Sequence, residues 1–190
     1  MKRFIVEEEY EYQGYKCVVI FNYLGHRCGY VGVDKTHPLY KVDYGQYLNI
    51  KKADLPAEMV VSGTIPLMMA LLDEDERIKI DAYFQVHGGI TYSGGGVKSE
   101  YPIESDLWWF GFDCGHYGDK NDYELAIKTF PERRETHLLE MAFENMCNTG
   151  GEIRTLEYVK SECENLALQL EQYKDFAEGK DADIKRTKNA

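Results

Sequence analysis

Much that would announce a function is missing from this chain. No CxxC pair occurs, and the five cysteines (Cys17, Cys28, Cys114, Cys147, Cys163) are odd in number and scattered. They read as free thiols of a reducing compartment, mostly small buried hydrophobes. No segment approaches the length of a membrane span, and the opening MKRFIVEEEYEY has no apolar run long enough for a signal peptide. No membrane partner and a cytoplasmic location are the resulting expectations. Positive charge is scarce: 22 Lys and Arg stand against 33 Asp and Glu, a formal net charge of −11. Such a chain repels phosphate backbones at long range, which excludes general nucleic-acid binding. Neither a GxxxxGK[ST] phosphate loop nor an HExxH metal motif is present. There is no internal repeat and no regular βαβ alternation.

What is there is a globular composition, with 44% apolar and 13% aromatic residues among 190, fifteen of them tyrosine. That length fits one domain with a sizeable core. RFIVEEEYEY and YKCVVIFNYL read as two strands joined at Gln13-Gly14, a tight hairpin turn. The run Val18–Phe21 predicts cover on both faces of the second strand, while Glu7, Glu8 and Glu9 place charge on an edge strand. CGYVGV (28–33) reads as a third strand, with glycines that allow close approach of a neighbour. The stretch 34–59, interrupted by Pro38 and Pro56, is loop-like. IPLMMALLDEDER is a weak helix with Pro66 in its first turn and a solvated acidic end at 73–76. IKIDAYFQVHGGITYSGGG predicts one long strand, or two with a break at Gly88-Gly89, and WWFGFD (108–113) another.

After Pro131, ERRETHLLEMAFENMC shows helical spacing at Leu138, Met141, Ala142 and Met146, ended by Asn148–Gly151; His137 on it is expected to be solvated. Thr155 is a candidate N-cap for an amphipathic helix carrying Leu156, Val159, Cys163, Leu166, Leu170 and Tyr173 at three- and four-residue spacing. The expected architecture is α+β: a mostly antiparallel sheet with C-terminal amphipathic helices packed on it, residues 1–177 forming one domain. Residues 178–190 are charged and are expected to be a disordered tail.

Three polar clusters fall at predicted strand ends. They are Gly25–Cys28 with His37-Pro38; His87-Gly88-Gly89 followed by TYSGGG (91–96); and Asp113–Asp119. If neighbouring strands run antiparallel, some of these ends meet at one rim. His87, Gly88, Gly89, Tyr92, Asp113, His116, Arg27 and Lys98 are the candidate ligand-binding residues. His87, Asp113, His116 and Asp119 are suitable donors for a divalent metal, with a position left for water. The plainer alternative is that Asp113 and His116 hydrogen-bond the turn and each other. Cys114 and His116 share a strand face, which would suit a nucleophile and base, although a cysteine beside aromatic strand residues is more often core. Gly94–Gly96 could cradle an anion with Lys98, or simply form a hairpin loop. One of Trp108 and Trp109 could stack on a flat ring; the alternative is that both are covered.

GYVGVDKTHPLY, VHGGITYSG, WWFGFDCGHYGD and RTLEYVKSECENLALQL, in that order, resemble a family of small phage and prophage proteins. The resemblance spans about half of the chain. It implies a phage setting, hence the host-cell cytoplasm, and a single site shared by the His87 and Asp113/His116 segments; it brings no catalytic role with it. Small acidic phage proteins that soak up host immune signals supply the analogy of context. The leading expectation is therefore a protein that binds and sequesters a small, nucleotide-like ligand, with oligomerisation natural for such a binder. One alternative is a metal-dependent hydrolase of a phosphodiester-type substrate. The other is an inhibitor docking on a host protein through its acidic surface.

Overall fold

The computed structural model describes residues 3–96, 101–147 and 150–179. Its strands are β1 (Phe4–Tyr12), β2 (Tyr15–Asn22), β3 (Arg27–Val33), β4 (Tyr47–Lys51), β5 (Arg77–Lys79), β6 (Tyr92–Gly95) and β7 (Trp108–Asp113). Its helices are α1 (Ala57–Ser62), α2 (Ile65–Leu72), α3 (Ile80–Tyr83), α4 (Tyr123–Thr129), α5 (Arg134–Cys147) and α6 (Leu156–Ala177). Five strands make one antiparallel sheet in the order β1-β2-β3-β7-β6, and β4 pairs with β5 separately. The fold is α+β, as expected.

The β1–β2 hairpin turns at Gln13 and Gly14, whose φ values of 51° and 82° are both positive, as a two-residue turn matched to strand twist requires. β2 and β3 are covered on both faces. Cys17, Val19, Val31, Phe110 and Phe112 meet Val159, Cys163, Leu166, Ala167 and Leu170 of α6. Val18, Ile20, Cys28, Tyr30 and Trp109 form the opposite face, closed by Phe4, Tyr92, Tyr101, Ile103 and Leu107. Full burial of a large apolar side chain stabilises by roughly 1.5–3 kcal/mol, so the 22-residue α6 is the main lid on the sheet. Gly29 makes this fit possible: a Cβ there would lie 2.4 Å from the Phe112 ring and 2.6 Å from Cys163 Sγ.

β1 is one edge of the sheet, and its Glu7, Glu8 and Glu9 are held by cationic partners. A register shift between Val6 and Glu8 accompanies Glu7, whose two carboxylate oxygens accept from Arg27 at 2.7 and 3.0 Å. Glu8 and Glu9 pair with Lys160 and Lys16.

Four expectations are corrected. The loop-like stretch contains β4, which buries Leu48 and Ile50 and pairs with β5 across some thirty residues of chain. The stretch read as one long strand, or as two broken at Gly88-Gly89, is strand only at its two ends, as β5 and as β6. Ile80 and Asp81 donate their N–H groups to Gln46 and Tyr44 carbonyls at 3.1 and 3.0 Å, and the backbone turns into α3. The alternation that suggested a strand is real, since Ile78, Ile80, Ala82, Phe84 and Val86 are all buried, but turns produce it. His137 is fully buried, not solvated: its ring lies 6.1 Å from that of Tyr123, and α5 stacks on α4 with Leu139, Phe143 and Met146 exposed. Lastly, His37 is far from His26, because seven residues of β3 separate the two ends.

Both tryptophans are covered or tethered. Trp109 is fully buried and donates to Ser105 Oγ, and half-buried Trp108 donates to the Val42 carbonyl, both at 3.0 Å. No helix among the described residues is long and apolar enough to cross a membrane. Lys98, Asn148, Thr149 and the 180–190 part of the expected tail lie outside the described residues.

His37 is buried, with Nε2 donating to the Leu170 carbonyl and Nδ1 accepting from the Leu39 N–H, both at 3.1 Å. Burial pushes its pKa below the ordinary 6.5. The unfolded chain therefore takes up this proton first on acidification. The stability held above pH 6.5 is lost as the pH falls below it. The melting temperature is expected to drop between neutral and mildly acidic pH. In His37→Gln, which keeps a donor and an acceptor, the decline should be shallower; an unchanged slope would count against this assignment.

Candidate functional site

Antiparallel pairing brings the end of β7 beside the start of β3, with Cys28 opposite Asp113, and the start of β6 beside β7 on its other side. The 113–119 segment folds back on itself there. Asp113 Oδ1 accepts from the Gly115 N–H at 3.0 Å and Oδ2 from the Thr91 hydroxyl at 2.9 Å. Asp119 Oδ2 accepts from the His116 N–H at 3.0 Å, and the Asp119 N–H donates to the His116 carbonyl at the same distance. The turn-forming account of Asp113 is thus realised; His116 Nε2 stands 3.8 Å from Asp113 Oδ1. His26 sits alongside, and burial lowers its pKa despite the nearby Asp113 charge.

The second wall is the turn at 85–89. Gly88, with φ of 67°, passes so close to His116 that a Cβ would lie 2.1 Å from Nε2, and Gly89 packs against Pro66 and the Asp81 carbonyl. The paired glycines therefore serve close packing of one site segment on another.

The third wall is a polar row on α6 beside its apolar one. Tyr158, Glu162, Asn165 and Gln169 follow at three- and four-residue steps, with Arg154 preceding the Thr155 cap. Gln169 accepts from the Gln85 N–H at 2.7 Å, and Asn165 and Gln169 donate to its carbonyl at 2.9 and 3.0 Å. Glu162 Oε2 accepts from the His87 N–H at 2.7 Å. His87 Nε2 lies 2.7 Å from Asp119 Oδ2, its Nδ1 lies 3.0 Å from the Tyr158 hydroxyl, and Arg154 Nε donates to Asp119 Oδ1 at 2.8 Å.

These contacts set the tautomer of the neutral His87 ring. The Asp119 carboxylate has no proton to give, so His87 Nε2–H donates to it, and in the neutral ring Nδ1 accepts from the Tyr158 O–H. Burial by itself would raise the Asp119 carboxyl, but hydrogen bonds from Arg154, His87 and the His116 backbone outweigh it and hold the group below its ordinary range. Burial, then the Glu162 charge, raises the Tyr158 phenol, which is neutral at rest.

His87, Gly88, His116, Tyr158, Glu162 and Asn165 line a cleft of about 550 Å³, with Ile65 and Pro66 beside them and a fully exposed Tyr117 at its edge. None of its lining residues is Lys or Arg.

Five of the residues singled out from the sequence thus come together: His87, Gly88, Asp113, His116 and Asp119; the His87 and His116 rings are 5.7 Å apart. Arg27 does not join them, because its guanidinium is buried on Glu7 and the Arg154 carbonyl. Tyr92 lies on the other sheet face, edge-on to Tyr30 and Tyr101. Gly94 and Gly95 pair with Trp109 and Trp108, at the opposite end of β7. Cys114 is buried in the main core, and burial pushes its thiol upward, away from the thiolate form in which a cysteine attacks. Among the described residues, no three His, Cys, Asp or Glu side chains are arranged to hold a metal ion. A metal at His87 and Asp119 would have to displace Arg154 and Tyr158 from them. Arg154, Tyr158 and Glu162 were not among the candidates. Their signal was the polar row at helical spacing, legible beside the apolar one.

Comparison with protein-family models, curated proteins and solved structures finds no match to this chain.

Two substitutions probe the site's construction. Asp119, whose side chain is 3% exposed, compensates Arg154, and Asp119→Asn is expected to cost about 2–3 kcal/mol in denaturant unfolding. Gly88→Ala should cost about 1–3 kcal/mol and shift the His116 ring resonances. A loss of stability with unmoved His116 signals would contradict the packing described.

Proposed function

We propose that this protein binds a small polar ligand in the His87–Tyr158–Glu162 cleft, and that the ligand is nucleotide-like at its heterocyclic end. The observation that carries this reading is the convergence of three separate segments, 85–89, 113–119 and 154–165, on one cleft with pre-set polar groups. These segments overlap three of the four stretches that resemble the phage family. Exposed Tyr117 offers a face on which a flat ring can stack. Glu162 and the absence of Lys or Arg from the lining favour contact with a donor-bearing ring over contact with a phosphate. In an infected cell, retention of such a ligand would withdraw it from host signalling.

One observation favours a second reading, in which the bound molecule is altered. The Asp119–His87–Tyr158 chain has the form of an acid–base relay.

Incubation of the protein with a panel of nucleobases, nucleosides and linear and cyclic nucleotides, followed by mass spectrometry before and after heat denaturation, separates the two. Depletion of one compound that returns unchanged on heating is the expected result, reduced at least tenfold in affinity by Glu162→Ala. A new product mass would favour turnover. If no compound is depleted or altered, the ligand-binding reading fails.

A further inference from the structure

Within the cleft, the Tyr158 hydroxyl occupies the position that a nucleophile occupies in a hydroxyl–imidazole–carboxylate triad. Its oxygen is 3.0 Å from His87 Nδ1, and His87 Nε2 is 2.7 Å from the buried Asp119 carboxylate, which Arg154 anchors from its other oxygen at 2.8 Å. The proton order is the one a base-assisted attack needs: the phenol carries its proton, Nδ1 is free to receive it, and Asp119 already accepts from Nε2. His87 is only 12% exposed, so Asp119 steadies the imidazolium with little competition from water. Tyr158 and His87 both line the cleft, so an electrophile can reach the oxygen.

We propose that Tyr158 is an activated hydroxyl nucleophile for a carboxylic-ester carbonyl, with His87 as general base and Asp119 as the positioning residue. In the step, the Tyr158 oxygen bonds to the carbonyl carbon while its proton passes to His87 Nδ1. The ester C–O bond breaks, and the alkoxide or phenoxide leaves with the bonding pair and takes the proton from His87 Nδ1. Neutral His87 then deprotonates a water whose oxygen bonds to the acyl carbon of the tyrosyl ester; that ester's C–O bond breaks, the acid is released, and the Tyr158 oxygen recovers its proton from His87. A neutral carbonyl suits a lining that holds Glu162 and no Lys or Arg, whereas a phosphoryl dianion would be repelled. The inference rests on the cleft being the functional site and extends the turnover reading.

The probe is p-nitrophenyl acetate, which requires no knowledge of the natural ligand. Nitrophenolate release is followed optically, and acetylated peptides are mapped by mass spectrometry. Tyr158 is expected to be acetylated at least about tenfold faster than fully exposed Tyr117, with release falling by a similar factor in Tyr158→Phe and His87→Ala. Tyr158→Phe keeps the ring and its packing, and its fold is checked by circular dichroism. Should either variant fail to fold, the order of acetylation in the unsubstituted protein decides alone. Acetylation that follows exposure, with Tyr117 ahead of Tyr158, overturns the proposal, as does equal release by folded Tyr158→Phe. Either result leaves ligand binding intact, and a ligand panel without a hit leaves ester chemistry to stand by itself.

Discussion

The seating of α6 across β2 and β3 is the contact on which the site depends. Val159, Cys163, Leu166 and Leu170 lie on one side of that helix and are fully buried against the sheet. With 3.6 residues per turn, the neighbouring row is then carried to the sheet's flank. There Tyr158, Glu162, Asn165 and Gln169 grip the backbone and imidazole of 85–87. One rigid helix therefore holds the core and aligns the polar groups, and Gly29 sets how closely it can approach.

The charges at the rim form a compensated set. A carboxylate as enclosed as Asp119 is costly unless paired and fully hydrogen-bonded. Arg154, His87 and the His116 backbone supply those bonds together. The same Arg154 gives its carbonyl to Arg27, which in turn holds Glu7 on the edge strand. Two ion pairs in series thus join the edge of the sheet to the floor of the site. Arg27 is a structural link in that series, which is why it is withdrawn from any ligand.

His37 and His87 show how alike two buried imidazoles can look in a sequence and how differently they are used. His37 is bonded to backbone at both nitrogens, at the end of β3 away from the cleft. His87 is bonded to an acid and a phenol and borders open space. Backbone partners offer nothing to titrate, whereas an acid on one side and a hydroxyl on the other define a direction for a proton. His137 is a third case. It lies on the covered side of α5, whose Leu139, Phe143 and Met146 face outward. Helical spacing announced that helix without saying which face would be covered.

By itself, the sequence determined what depends on near neighbours along the chain. The β1–β2 turn, the cap at Thr155, the apolar row of α6 and the aromatic strand 108–113 all follow from local sterics and period. The placing of Gly25–Cys28 and Asp113–Asp119 at strand ends was equally legible, whereas His87–Gly89 meets them from the turn that follows α3. Tertiary structure decided the rest. Pairing of β4 with β5 and the bending of 80–83 away from a strand depend on partners distant in sequence. The sorting of candidates into site and scaffold came from burial and competition for partners. Arg27 found Glu7, Tyr92 found the far face of the sheet, and Arg154, Tyr158 and Glu162 became site residues because α6 could seat in one rotation only. A side chain's chemistry is written in its type, but its availability is set by whatever the fold brings within about 3 Å of it.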